Sequence, residues 1–164
     1  PKAGLTVNFT LARSDTGGRY RRPYVAVWLE DQDGYPVKTG VLWIMTQGPG
    51  PRWHRDLTRW YRNDRIRQLA EGSELIGTVS SPTRGPGEYQ TRFEGVDNEG
   101  KALPPGKYTL CIESAREHGT YQIIKETLDL RNQPIAKKDL KGNAEVSAAS
   151  YQYLPFQPPK TPDK

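Results

Sequence analysis

The sequence predicts a mostly β, single-domain antiparallel sandwich carrying one short helical insertion. Three observations predict it. About seven or eight short segments are extended in pattern, and each ends in Gly, Pro, Asn or Asp turn chemistry. Only one stretch, about 51–71, has helical spacing instead. The 164 residues suffice for one buried core, and the single cysteine, Cys111, excludes an intrachain disulfide and a cysteine-only metal site.

Leu5 to Leu11 alternates without a break, which predicts a half-buried strand with Leu5, Val7, Phe9 and Leu11 toward the core. Tyr24 to Leu29 is apolar on both faces, the pattern of a central strand. Glu30 to Gly34 reads as a tight polar turn. Val37 to Met45 reads as the returning strand, with Val37, Thr39, Val41, Trp43 and Met45 on one face and Leu42 and Ile44 on the other. A short strand is expected at Ile76–Ser80, a loop at Ser81–Gly87 and extended structure at Glu88–Phe93. Lys107–Ala115 and Tyr121–Leu130 are partners, and a last strand runs over roughly Ala144–Tyr153. The run from Leu103 to Leu110 suits a turn feeding a sandwich strand, with Tyr108 anchoring the corner. Trp28, Trp43 and Trp60 are assigned to the core, and Cys111 to a buried, inert thiol.

The insertion is entered through Gly48-Pro49-Gly50-Pro51. Leu57, Trp60 and Tyr61 share one helical face, and Arg55, Arg59 and Arg62 share the opposite one. Past Asn63 the phase flips, because Ile66, Leu69 and Ala70 lie where the arginines were. One straight helix cannot bury both stripes, so a break is expected near Asn63-Asp64. The insertion is expected to cap one end of the sandwich or cover an edge. The domain is expected over 1–154, with Pro155–Lys164 a Pro-rich extended tail that could lie along a partner.

The net charge of +5 and pI of about 9.3 are a mild excess. They permit anionic ligands without demanding nucleic acid, which the many Asp and Glu disfavour. No apolar run approaches the roughly 20 residues of a membrane span. The sequence begins at Pro1 rather than Met, so it reads as a processed or trimmed form.

The run Tyr24-Val25-Ala26-Val27-Trp28-Leu29-Glu30-Asp31, the strand ending Val41-Leu42-Trp43, and the segment Leu57-Thr58-Arg59-Trp60 resemble one bacterial family. So does Leu103 to Gln122, including Glu117-His118-Gly119-Thr120-Tyr121. The family is that of predicted periplasmic proteins known as domain of unknown function 2271. The similarity runs over about Leu5 to Leu154. It implies an immunoglobulin-like sandwich and a periplasmic or otherwise exported location. It also implies association with flavin-transferase-like and PepSY-type membrane partners, and so with periplasmic redox or metal handling. The family supplies no established catalytic residues.

Two sets of residues are candidates for chemistry. His54 and His118 are the only histidines, and neutral imidazoles ligate zinc, copper or haem iron. Glu117, Glu113, Asp56 or Met45 would complete a shell, but the spacing matches no metal motif, and the plainer reading is that His118 holds a turn by hydrogen bonds while His54 caps or flanks the helix. The second set is Arg55, Arg59 and Arg62, a strip suited to gripping carboxylates or phosphates. Trp53 stands close enough to stack on a planar ligand such as a flavin. The plainer reading of that strip is a solvated face paired with nearby acids. No nucleophile elbow or phosphate loop is present. The chain therefore reads as a non-enzymatic binding or accessory component of a periplasmic assembly, with a protein partner and no membrane span of its own. The alternatives are a metal- or haem-binding redox protein using His54 and His118, and an anionic-ligand binder built on the Arg-rich helix. Metal, haem and flavin are the cofactors these readings admit.

Overall fold

The computed structural model describes residues 3–12, 22–44, 57–73, 75, 79–116 and 121–156. Their alternation builds two sheets. Strand β1 (Gly4–Leu11) pairs with β5 (Gly87–Phe93) on one side and β9 (Val146–Leu154) on the other; β8 (Ile135–Leu140) pairs with β9. In the second sheet β2 (Tyr24–Glu30) lies between β3 (Pro36–Ile44) and β6 (Gly106–Ala115), and β7 (Tyr121–Leu130) pairs with β6. A two-residue β4 (Ser81–Pro82) extends β3 in the one parallel pairing among the described strands. The orders are β5-β1-β9-β8 and β4-β3-β2-β6-β7.

The inner faces meet in one apolar core. Leu5, Val7, Phe9, Leu11, Phe93, Val146, Tyr151 and Tyr153 come from the first sheet. Val25, Val27, Leu29, Trp43, Leu110, Ile112 and Leu128 come from the second. Each such side chain contributes about 1.5–3 kcal/mol when fully withdrawn from water. This is the two-layer sandwich expected of an immunoglobulin-like protein. Tyr108 anchors its corner by donating its hydroxyl to the Pro104 carbonyl.

β2 is buried along its whole length because a second cluster covers its outer face. Tyr24, Ala26, Trp28, Leu42, Ile44, Cys111 and Ala115 meet Leu57 and Trp60, at the N-terminal end of helix α1 (Thr58–Glu71), there. The helix therefore lies on the outer face of the second sheet, not at an end or an edge of the sandwich. Its continuity is also a correction: there is no break at Asn63-Asp64. Asn63 and Asp64 are buried with partners, and Arg67 is 0% exposed against Asp64 and Ser73. The polar residues thus take the inward positions. Ile66 and Leu69 face solvent, so only one stripe needs burying. Residues 51–56, expected to begin the helix, lie outside the described residues.

Four further expectations change, beginning with Ser81–Pro82, which forms β4 where a loop was expected. Thr39 does not share a face with Val41. A bulge sets Gly40 and Val41 opposite Val27, returning Thr39 to the helix side, where its hydroxyl accepts from Trp60 Nε1 at 3.1 Å. Glu30 belongs to β2 rather than to the following turn. Val79 donates to the Leu75 carbonyl at 2.8 Å, a helical bond where a strand was expected; residues 76–78 lie outside the described set. β8 escaped sequence reading because its middle positions, Ala136 to Asp139, are all exposed and offer no apolar alternation.

Candidate functional site

The N-terminus of α1 has no cap of its own. Leu57 occupies the capping position and makes no side-chain bond to the helix. Glu113 of β6 does the work from across the contact. Its two carboxylate oxygens accept the backbone N–H groups of Arg59 (2.9 Å) and Trp60 (3.0 Å), the orphan donors that a capping side chain normally takes. Tyr121 of β7 donates its hydroxyl to the same carboxylate. Burial pushes Glu113 above its ordinary value, against the lowering pull of these three hydrogen bonds and of the Arg59 charge. Burial and the bond to Glu113 in turn push the Tyr121 hydroxyl up to about 12.

Beside this cap lies a second buried carboxylate. Glu30 accepts Arg59 Nε at 2.9 Å and Arg59 Nη2 at 2.7 Å, a two-point ion pair. It also accepts Trp28 Nε1 (2.9 Å) and Asn63 Nδ2 (2.7 Å), and the Cys111 thiol stands 3.5 Å away. Burial alone would raise Glu30, but the donors from Arg59 and Trp28 and the Arg59 charge win and hold it below the usual carboxylate range. Burial, reinforced by the Glu30 charge, pushes the Cys111 thiol well up, so it is not a thiolate at neutral pH.

What remains open is a groove of about 220 Å³ between α1 and β7, lined by Thr58, Arg59, Arg62, Tyr121, Ile123 and Lys125. Arg62 and Lys125 are both exposed and form no ion pair with any described residue. Arg59 reaches the groove with its charge already matched by Glu30. The positive potential therefore comes from Arg62, a planar fork, and Lys125, a point charge, rather than from the helix dipole, whose first donors Glu113 has taken. A larger concavity of about 390 Å³ on the outer face of the first sheet is lined mainly by small polar groups such as Asn8, Thr10, Gln90 and Ser150. Lys137 shares that lining with two acids, Asp139 and Glu88. It offers no comparable charge.

The four arginine-strip candidates separate on inspection. Arg62 lines the groove with no counter-ion among the described residues, whereas Arg59, partly exposed there, is paired with the buried Glu30. Trp53 and Arg55 lie outside the described residues, as do His54 and His118. Among the described residues no group of three or more His, Cys, Asp or Glu is arranged to hold a metal. No helix among them is long and apolar enough to cross a membrane. Glu113, entertained as a ligand, is committed to capping α1. Sequence reading missed Glu30, Asn63, Tyr121 and Lys125. The one signal for Glu30 was its place at the end of a run apolar on both faces, which puts its side chain next to buried neighbours.

A family model described as predicted periplasmic protein (DUF2271) matches residues 4–148. The chain belongs to this family. The match takes in both sheets and α1, so the groove of this DUF2271 protein lies inside the shared region, while most of β9 extends beyond it. The family description supports a periplasmic or exported location. Comparison with curated proteins and with solved structures gives no match.

Proposed function

We propose that this DUF2271 protein is a non-enzymatic periplasmic binding or accessory protein whose partner or ligand presents an anionic group to the α1–β7 groove. The observation carrying this reading is the asymmetry among the cations of α1. Arg59 and Arg67 are neutralised by buried acids, whereas Arg62 converges with Lys125 on one concavity and has no counter-ion among the described residues. A carboxylate or phosphate oxygen pair fits the guanidinium fork, with Lys125 adding a second charge. The buried thiol and the engaged Tyr121 hydroxyl supply no activated nucleophile, which favours binding over catalysis.

The test is an NMR titration with inorganic phosphate and with citrate at low ionic strength. Shifts are expected at Thr58 to Arg62 and Tyr121 to Lys125; they should shrink with added salt and vanish in Arg62→Ala. Shifts that ignore Arg62→Ala would sink the reading.

A second reading has metal or haem bound by His54 and His118, within a redox- or metal-related assembly. One observation favours it. Thr58, four residues after His54, and Tyr121, three after His118, line the same groove, and a chain spans only about 3.5 Å per residue. Zinc and copper titration and haem absorbance should then respond to His118→Ala; indifference of all three would remove the reading.

A further inference from the structure

Three large apolar side chains are exposed among the described residues, and all lie on the outer side of the second sheet. They are Ile66 at 53%, Leu69 at 89% and Tyr121 at 44%. Tyr121 lines the groove with Arg62. Ile66 and Leu69 follow Arg62 at i+4 and i+7, so helical spacing sets them in one row leading away from the groove. Arg65, 5.7 Å from the Tyr61 ring, is exposed beside that row. The row contains no acid. Asp64 and Glu71, the acids of α1, are held by Arg67, Gln68 and Tyr35.

From this arrangement we infer that α1 and β7 form a docking face for an acidic protein segment. A carboxylate side chain enters the groove against Arg62 and Lys125, and a neighbouring apolar side chain covers Ile66 and Leu69. The inference rests on the anion-groove reading and names its partner class. Charge complementarity carries it. Arg62, Arg65 and Lys125 face outward with no counter-ion among the described residues, and arginine and tyrosine around an apolar centre are the composition of protein interfaces. A lipid surface fits less well. Affinity for bilayers scales with inserted apolar area, and among the described residues that area is limited to Ile66, Leu69 and part of Tyr121, because Leu57 and Trp60 are buried against the sheet.

The experiment is selection of random linear peptides displayed on phage against the full chain. Fluorescence anisotropy of the selected peptides follows, with Leu69→Ser and Arg62→Ala as variants and phosphatidylglycerol vesicles as a separate arm. Selected sequences should set Asp or Glu beside an aliphatic or aromatic residue. Leu69→Ser, at a solvent-facing position, should weaken them roughly tenfold. Phosphate-induced shifts in the groove should survive that substitution. No enrichment, selected peptides lacking acids, or cosedimentation with the vesicles in place of peptide binding would overturn the inference. If phosphate and citrate leave the groove unperturbed, the anion reading itself fails. If they perturb it while Leu69→Ser leaves peptide affinity unchanged, only the docking inference falls.

Discussion

Arg59 of α1 grips Glu30 of β2 at two points, Nε to Oε2 at 2.9 Å and Nη2 to Oε1 at 2.7 Å, and so fastens the helix to the centre of the second sheet. Glu30 is almost wholly buried, while the Arg59 side chain keeps 28% exposure. Truncating the arginine strands the carboxylate in the interior. Arg59→Ala is expected to destabilise the protein by about 3 kcal/mol, at the low end for a broken buried pair because Arg59 is partly solvated. Urea denaturation measures it; a loss within about 0.5 kcal/mol, the range of ordinary surface changes, would contradict the role.

The two carboxylates under α1 have opposite pH signatures. The folded pKa of Glu30 lies below its ordinary value of 4.5, so its contribution is present above that value and lost as pH falls through the folded pKa. The folded pKa of Glu113 lies above 4.5. Its folded form holds the proton more tightly, so stability is greatest below the ordinary value and declines as pH rises through the folded one. Glu113→Gln should abolish that decline, and Glu30→Gln should remove the acid-side loss while lowering stability at neutral pH. Unfolding midpoints over roughly pH 3–8 decide between this and parallel curves.

Gly40 sits where the bulge in β3 meets Phe93. A Cβ placed there would stand 2.9 Å from Phe93 Cζ and 3.1 Å from Cε1. Gly40→Ala should therefore overpack the core and destabilise by about 1–3 kcal/mol. The same substitution at Gly142 or Gly95 would not be an informative control, since both are also crowded. An unchanged thermal midpoint would show that Phe93 can swing aside.

Cys111 should resist alkylation. It is fully buried, and burial near Glu30 disfavours its thiolate. Iodoacetamide at mildly alkaline pH is expected to leave the native protein unmodified by mass spectrometry and to modify it completely in denaturant. Rapid native labelling would mean that α1 opens readily.

Much of the fold is readable from the chain because period-two alternation is a direct imprint of a half-buried sheet. Leu5, Val7, Phe9 and Leu11 face inward as their spacing requires. The run from Tyr24 to Leu29, apolar on both faces, is covered on both faces. The helix is less legible for a physical reason. Its inner face is cut from Asn63, Asp64 and Arg67, whose burial depends on partners such as Glu30 and Ser73 that local sequence does not reveal. The same blindness turned Arg59 into a surface group and hid Glu113 as a cap. The groove was half visible. Arg62 belonged to a recognisable cationic strip, but Lys125 lies on a strand 63 residues away and joins it only through the β6–β7 pairing.

The capping of α1 by Glu113 has a consequence for how this family can drift. A helix with its own Ser or Asp cap can gain or lose that residue alone. Here the cap and the helix it serves are encoded some fifty residues apart, at Glu113 and at Arg59–Trp60. A shift of the insertion by a single residue would withdraw both helix donors from the carboxylate and leave a buried acid held by the Tyr121 hydroxyl without them. Among descendants of this sequence, changes in length before Leu57 should be absorbed upstream of it. Position 113 and the register of α1 should be inherited together as one unit.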